Sequence, residues 1–325
     1  PASPVDTVTV FVDANGTFYP NSWDAHLTPR RRWPAHSLLN ESADDPDFRQ
    51  LIESDAERQI KDLSSFGAGK SRLFILVHGY NNSMEKAELA YKDIEEKIDF
   101  KRDDGIILFY WDGLVASGAG PAKIWFNATG YSQLAGSRGL RRVLASFSGK
   151  EVFLITHSRG TSVVLSAFGN PVYDPEFLRH TSRVAESWGD RYQNFLNPEP
   201  LRSKGNKFHV FALAPAVDRI DFCDESEQRQ TRFNCSKMRS LPMVQSFRYT
   251  VNTDDPILNK FVGLSGGFNP TGLGVNTEVG LTLRAEFTFL EEYLFDQPEE
   301  YHAFRSYVAN PTFDAMLKDA GLRAE

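Results

Sequence analysis

The sequence predicts an α/β fold with a mostly parallel sheet that is covered by helices on both faces. Leu73–Val77 is a continuous apolar run, as expected of a strand that is buried on both faces. Further strands are predicted along the chain at residues 106–111, 152–155, 208–213 and 247–251. Segments with apolar residues at helical spacing separate the earlier strands. This repeated alternation is typical of a parallel sheet in a layered domain.

The N-terminal region is predicted to hold a strand, a turn and a helix before this alternation begins. Residues 7–12 alternate in polarity and are β-branched, which favours a strand. Asn15-Gly16 supplies a turn, and residues 17–19 are expected to return as a second strand. Prolines and polar clusters in residues 20–45 indicate a loop. Residues 46–64 present their apolar side chains on one helical face.

Helices between the predicted strands have apolar residues three and four positions apart. The helix after the first apolar run has either Asn82 or Ser83 as its N-cap. A second helix is centred on residues 140–147. A third, over residues 163–168, ends where Gly169-Asn170-Pro171 follows.

Residues 172–206 interrupt the alternation of strands and helices. They mix aromatic with charged residues, and we expect them to form a helical cap inserted into the main domain. The length of 325 residues and the apolar content of 41% suffice for one large core. We therefore expect a single domain over residues 1–325, although length alone would also permit two domains.

The overall charge and hydropathy exclude several classes of partner. The net charge of -7 and the pI of about 5.6 argue against a nucleic-acid surface and against an anionic membrane surface. No apolar stretch reaches the roughly 18 residues that a membrane-spanning helix needs. We expect no transmembrane segment, and the sequence leaves the oligomeric state open.

The two cysteines, Cys223 and Cys235, are expected to form a disulfide, with two buried thiols as the alternative. No Cys-x-x-Cys pattern or paired histidines accompany them, which argues against a metal site. A disulfide requires an oxidising compartment, so the expected location is secreted or periplasmic, and otherwise cytoplasmic. The chain begins at Pro1, which fits either removal of a signal peptide or trimming of the chain.

Ser158 is the candidate nucleophile. It stands in Thr156-His157-Ser158-Arg159-Gly160, between a predicted strand and a predicted helix. A serine on such a sharp turn projects its hydroxyl above the sheet edge, and the turn needs small residues two positions before and after it. Gly160 meets this need, whereas Thr156 stands where glycine is common. The alternative is that Ser158 is an ordinary helix N-cap.

A second segment, His78-Gly79-Tyr80, follows an earlier predicted strand. Binding sites in open α/β sheets form at the carboxyl ends of the strands. Acyl transfer needs two backbone N–H groups directed at the developing oxyanion. We expect these from Tyr80 and from Arg159, which directly follows the nucleophile.

A serine nucleophile also needs a histidine base and an orienting acid, in the chain order serine, acid, histidine. Of the seven histidines, His302 alone follows all the predicted strands. Asp255 and Asp254 come just after the strand that ends at Val251, and Asp255 is favoured because Pro256 restricts its backbone to an extended form. Asp218 remains an alternative, as does Asp254.

With these pieces assembled, the chain resembles the α/β-hydrolase superfamily, and in particular bacterial lipase-like serine hydrolases with a VHGYNNS signature. The stretches that carry the resemblance are residues 77–83, 109–111, 156–160, 213–218 and 252–258. The family also places its acid directly before an x-x-Leu, as Asp255 stands here. Two departures stand out. Arg159 replaces the usual apolar residue after the serine, and Ala216 stands where an aspartate often follows Ala-Pro.

The resemblance and the motifs together imply a serine esterase or lipase that acts on small-molecule or lipid carboxylic esters through an acyl-enzyme. Thioesterase, amidase or acyltransferase chemistry would use the same residues. A catalytically inactive binding module is the alternative outside enzymes. Arg159 would put a cation beside the oxyanion hole, where it favours acidic substrates or pairs with a carboxylate of the cap.

Two further expectations concern the substrate pocket and cofactors. Trp111, Trp125 and Phe126 are candidates for the pocket floor, with packing in the core as the alternative. The segment Gly67-Ala68-Gly69-Lys70-Ser71 resembles a phosphate loop, but it precedes its strand rather than following it. No His-Glu-x-x-His or Gly-x-Gly-x-x-Gly pattern occurs, so we expect neither a metal nor a cofactor.

Overall fold

Seven parallel strands form one sheet in the computed structural model. The strands are β1 (Asp6–Val12), β2 (Arg72–Val77), β3 (Asp104–Trp111), β4 (Glu151–His157), β5 (Lys207–Leu213), β6 (Val244–Val251) and β7 (Leu290–Leu294). Their order across the sheet is β1-β3-β2-β4-β5-β6-β7, and every pairing is parallel. The structure describes residues 5–21, 37–113, 128–175, 177–179, 191–227, 235–261, 271–295 and 301–324.

The central strands are buried because they carry apolar side chains on both faces. Every residue of β2 is buried, and only the first residue of β4 is exposed. These two strands pair in register, so that Val77 lies beside Thr156. The residues that follow the two strands therefore emerge next to each other at one edge of the sheet. The predicted fold class, an α/β fold with a parallel sheet, is confirmed.

Helices cover the sheet between the strands. They are α1 (Leu38–Glu41), α2 (Pro46–Ala68), α3 (Met84–Glu95), α4 (Arg141–Ala145), α5 (Gly160–Phe168), α6 (Arg191–Leu196), α7 (Pro256–Phe261), α8 (Thr277–Glu286), α9 (Phe304–Ala309) and α10 (Pro311–Asp319). A helical stretch from residue 128 and a π-helical turn, Ala135–Leu140, lead into α4. Ser83, rather than Asn82, is the N-cap of α3, because its hydroxyl accepts the Lys86 N–H.

The structure differs from the sequence prediction in three elements. Residues 17–19 form no strand: Phe18 makes a single antiparallel bridge to Val12. The short helix α1 lies within residues 20–45, which we predicted as loop. Strand β7 was not predicted, because it is an edge strand with only one buried residue and two glutamates, and so lacks an apolar run.

The described residues of the predicted cap pack on the helix that precedes α4. The Phe177 ring lies edge-on to Tyr131, with 5.3 Å between their centroids. The guanidinium of Arg138 lies 4.2 Å from the centre of the Phe195 ring. These contacts bury aromatic side chains of residues 172–206. That the segment roofs a binding site stays a prediction, and so does the single-domain organisation over residues 1–325.

Cys223 and Cys235 are joined by a disulfide, with their Cα atoms 5.9 Å apart. The buried guanidinium of Arg239 connects this region to the end of α5, because its Nη1 donates to the carbonyls of Leu165 and Gly169. Its Nε donates to the Cys223 carbonyl. The expected disulfide is therefore present in the structure.

Within the described ranges, no helix is both long and apolar enough to cross a membrane.

Candidate active site

The candidate site lies where the strand order of the sheet reverses. Strands β2 and β4 are neighbours at the centre of the sheet. The strand that follows β2 in the chain, β3, lies on one side of this pair, and the strand that follows β4, β5, lies on the other side. Such a switch point leaves a crevice at the carboxyl ends of the strands. His78-Gly79-Tyr80 follows β2, and Ser158 follows β4.

Ser158 lies on a sharp turn between β4 and α5. Its φ of 54° is in the left-handed region that non-glycine residues rarely adopt. Two backbone hydrogen bonds hold this conformation: the Ser158 N–H donates to the Leu213 carbonyl at 2.9 Å, and the Ala216 N–H donates to the Ser158 carbonyl at 3.2 Å. The loop after β5 thus fixes the turn that presents the serine.

Two glycines make this turn possible because the backbone passes very close to them. A Cβ on Gly79 would lie 2.8 Å from the Cβ of Ser158. A Cβ on Gly160 would lie 2.5 Å from the Thr156 hydroxyl and 2.6 Å from the His78 carbonyl oxygen. Thr156 is therefore accommodated two residues before the serine because Gly160 has no side chain.

The structure brings Ser158, His302 and Asp255 into one hydrogen-bonded row. The Ser158 Oγ lies 2.9 Å from the His302 Nε2, and the His302 Nδ1 lies 2.7 Å from the Asp255 Oδ2. Ser158 and Asp255 are fully buried, and the His302 side chain is 12% exposed. With the ring proton on Nδ1 and donated to the Asp255 carboxylate, the Nε2 is an acceptor for the serine hydroxyl.

Asp255 is held as an ionised carboxylate by donors on both of its oxygens. Its Oδ1 accepts the N–H groups of Ile257 and Leu258, each at 2.9 Å. Its Oδ2 accepts the Tyr307 hydroxyl at 2.5 Å in addition to His302. Burial by itself raises the pKa of Asp255, but His302, the Leu258 N–H and the Tyr307 hydroxyl together bring that pKa below its ordinary value.

The two alternative acids make other contacts. The Asp254 N–H donates to the Asn252 side chain, and its carboxylate lies 3.5 Å from the Thr253 hydroxyl. Asp218 is the N-cap of the short helix Arg219–Phe222 and forms a reciprocal capping box with Asp221. Of the three candidate acids, Asp255 is the one that hydrogen-bonds His302.

His78 fixes the peptide that joins Gly79 to Tyr80. The Trp111 N–H donates to the His78 Nε2 at 3.1 Å, so the proton of the neutral ring is on Nδ1, 2.7 Å from the Gly79 carbonyl oxygen. Burial lowers the pKa of His78 to about 4, which keeps the ring neutral. The Tyr80 N–H belongs to the same planar peptide as the Gly79 carbonyl and points the opposite way.

Trp111 packs against this histidine. Its ring stacks on His78 with centroids 5.7 Å apart, and its indole N–H donates to the His78 carbonyl at 2.8 Å. Trp111 is 4% exposed. Its contacts are thus those of a core residue that supports the loop after β2. Trp125 and Phe126 lie outside the described residues.

The Arg159 side chain is directed into the interior, although its backbone directly follows Ser158. Its guanidinium is fully buried and donates to the Ala216 carbonyl and to the hydroxyls of Ser132 and Ser162. Burial lowers its pKa, and the Asp221 carboxylate opposes that shift. In the described part of the chain these contacts do not include a carboxylate of the predicted cap.

Two other residues that support this row were not predicted from the sequence. His157 is buried beneath it, stacked on Phe304 at 4.7 Å and 4.9 Å from the His302 ring, and burial keeps its pKa well below the ordinary value. Tyr307 reaches Asp255 across 52 residues of sequence. A long-range contact of this kind leaves no local pattern that could have revealed it.

A cavity of about 430 Å³ lies elsewhere in the fold, between the loop after β1, α2 and α4. It shares no lining residue with the row of Ser158, His302 and Asp255. Across the described ranges, no cluster of histidine, cysteine and acidic residues could hold a metal ion.

A parallel sheet in which a serine on a strand-to-helix turn meets a later aspartate and histidine defines the α/β-hydrolase class. The chain belongs to the family described as "Alpha/beta hydrolase of unknown function (DUF900)", whose model matches residues 53–233. The match includes Tyr80 and Ser158 and ends before Asp255 and His302. No curated protein matches the sequence.

Solved structures of two esterases are similar to this chain. One is described as esterase PE8, with 11% identity, coverage of 78% of this chain and 94% of that chain, and a TM-score of 0.41. The other is an iodinated complex of acetyl xylan esterase, with 10% identity, coverage of 66% and 97%, and a TM-score of 0.31.

Proposed function

We propose that the protein is a serine hydrolase that cleaves carboxylic esters through an acyl-enzyme, with Ser158 as nucleophile, His302 as base and Asp255 as orienting acid. The observation that supports this most strongly is the continuous row of hydrogen bonds at 2.9 Å and 2.7 Å through the two nitrogens of His302. A nucleophile within reach of a base that is oriented by a third group is the pattern of covalent acyl transfer.

In the first half-reaction, the Ser158 Oγ attacks the ester carbonyl carbon while its proton passes to the His302 Nε2. The negative charge that develops on the carbonyl oxygen is met by the N–H groups of Tyr80 and Arg159. The C–O bond to the alcohol then breaks, and His302 returns the proton to the departing alkoxide. Asp255 stabilises the protonated imidazole throughout.

In the second half-reaction, a water molecule loses a proton to the His302 Nε2 and attacks the acyl-Ser158 carbonyl. Collapse of the second tetrahedral intermediate releases the carboxylic acid, and the proton returns to the Ser158 Oγ. Both half-reactions use the His302 Nε2 as the base. Asp255 therefore contributes to each of them, because it keeps the ring proton on Nδ1 and leaves Nε2 free to accept a proton.

The test combines a fluorophosphonate probe with p-nitrophenyl esters of increasing chain length. The wild type is expected to be labelled at Ser158 and to hydrolyse part of the ester series. Ser158→Ala is expected to lose labelling and to lower kcat by roughly 10⁴ or more. Ser166→Ala, at a buried serine in α5, the helix that follows Ser158, is the matched control and should keep both. Retention of more than a tenth of the rate by Ser158→Ala would exclude Ser158 as the nucleophile.

A further inference from the structure

Tyr307 occupies a fully buried position on α9, close to His302 on the chain. Its ring packs on Phe295, with centroids 5.1 Å apart, and on His157 at 5.8 Å. The ring of His302 itself is 6.3 Å away. These aromatic contacts fix where the Tyr307 hydroxyl lies, so its hydrogen bonds are formed by a rigid group rather than by a mobile one.

The hydroxyl of Tyr307 lies between Asn252 and Asp255. The Asn252 Nδ2 donates to it at 3.1 Å, and it donates to the Asp255 Oδ2 at 2.5 Å. The Asn252 Oδ1 accepts the Asp254 N–H at 3.3 Å, which fixes which end of the amide faces the tyrosine. Because an amide NH₂ can only donate, the hydroxyl accepts from Asn252 and its own proton is directed at the carboxylate.

The carboxylate oxygen that Tyr307 contacts is the one that contacts His302. Asp255 Oδ2 therefore receives two donors, while Oδ1 is occupied by the N–H groups that begin α7. A second donor on Oδ2 fixes the orientation of the Asp255 carboxylate. It also stabilises part of the negative charge on that oxygen, which weakens the attraction between the carboxylate and the protonated imidazole. Both effects act on the proton equilibrium of the base, not on substrate binding.

We propose that Tyr307, oriented by Asn252, is a positioning residue that directs the Asp255 carboxylate at His302 and tunes how strongly it holds the protonated imidazole. The inference rests on the proposed function, because Asp255 acts through His302. Tyr307 touches no reacting atom. Its effect is expected in kcat and in the pH profile, with KM unchanged.

Tyr307→Phe removes the hydroxyl oxygen alone, so it isolates this contact. A hydrogen bond to a charged group contributes enough to change a rate by about tenfold when it is lost. We expect kcat on a p-nitrophenyl ester to fall about tenfold and KM to stay within twofold. The acid limb of the kcat profile should move to higher pH, because a carboxylate with one donor fewer holds the protonated imidazole more tightly.

Tyr293→Phe is the matched control, since the Tyr293 hydroxyl donates to the Asp319 carboxylate at 2.7 Å, outside the site. It removes the same kind of bond and should leave kcat and the pH profile unchanged. Asn252→Asp is the second variant. Its carboxylate would accept the Tyr307 proton and draw the hydroxyl away from Asp255, so kcat should fall although the hydroxyl is present.

The rate of Ser158 labelling by a fluorophosphonate separates failure of this inference from failure of the proposed function. An unlabelled wild type would overturn the proposed function and this inference with it. A labelled wild type beside a folded Tyr307→Phe variant with unchanged labelling rate, kcat and pH profile would overturn the inference alone. If Tyr307→Phe does not fold, Asn252→Asp decides the question by the same readouts.

Discussion

Gly160 lies so close to Thr156 that a Cβ on the glycine would be 2.5 Å from the threonine hydroxyl. The contact joins the end of strand β4 to the first residue of helix α5, on either side of Ser158. Within the described residues, the Thr156 hydroxyl has no hydrogen-bond partner. The turn therefore tolerates a threonine where a glycine is common, but only while position 160 has no side chain.

Gly160→Ala should consequently destabilise the protein and disrupt the site. The new methyl group would also lie 2.6 Å from the His78 carbonyl oxygen, which is backbone and cannot move aside cheaply. We expect a loss of about 3 kcal/mol in the free energy of unfolding, measured by denaturant titration. Gly69→Ala is the control, since no atom lies within 4 Å of its Cβ position, and it should be neutral or slightly stabilising. Equal stability of the two variants would contradict the close contact.

Asp255→Asn should lower kcat by about 10⁴ with little change in KM, because the imidazole tautomer is no longer enforced. The carboxylate bonds the His302 Nδ1 at 2.7 Å, whereas Asp254 and Asp218 have other partners. Steady-state kinetics of the three single Asp→Asn variants on one ester provide the measurement. Asp254→Asn and Asp218→Asn serve as controls and should stay near wild type. Collapse of either, with Asp255→Asn active, would reassign the acid.

The central strands and the order of the site residues could be predicted from the sequence because local pattern determines them. Leu73–Val77 is apolar throughout because β2 is buried on both faces. His302 could be chosen because it follows the predicted strands. Tyr307 could not, since its contact with Asp255 depends on how α9 packs against the end of β6. Strand β7 escaped detection because an edge strand needs no apolar run.

Disrupting the disulfide should lower stability more than activity. In the chain-entropy model, a bridge that closes a loop of about 13 residues contributes roughly 3 kcal/mol. The Cys223→Ala/Cys235→Ala double variant is expected to lose about that much, while kcat on a p-nitrophenyl ester stays within a few fold of wild type. The bonded cysteines are distant in sequence from the residues around Ser158 and reach α5 through Arg239.

Mass spectrometry after alkylation without reductant checks the bridge directly. Freshly purified native protein should show no alkylated cysteine. Two alkylated thiols would contradict the bridge and would also remove the support for our proposal that the protein is exported to an oxidising compartment.

Arg159→Met should leave the preference between neutral and anionic esters unchanged and lower stability instead. The guanidinium is fully buried and donates to the Ala216 carbonyl, Ser132 and Ser162, so it is directed away from any substrate. Its loss leaves buried acceptors without a donor, at a cost of about 3 kcal/mol. The ratio of kcat/KM for p-nitrophenyl acetate to that for an ester with a free carboxylate should stay within twofold of wild type.

Arg102→Met is the matched control for this last comparison, because Arg102 is an exposed arginine on the turn before β3. Its stability and its substrate ratio should both equal those of the wild type. The backbone N–H of residue 159 is kept in Arg159→Met, so the proposed oxyanion hole remains intact. We expect only a moderate fall in kcat, because the variant loses the hydrogen bond to the Ala216 carbonyl, and the Ala216 N–H in turn holds the Ser158 carbonyl. A selective loss of activity on the anionic ester would show instead that the Arg159 cation reaches the substrate, which is one of the two roles that the sequence leaves open.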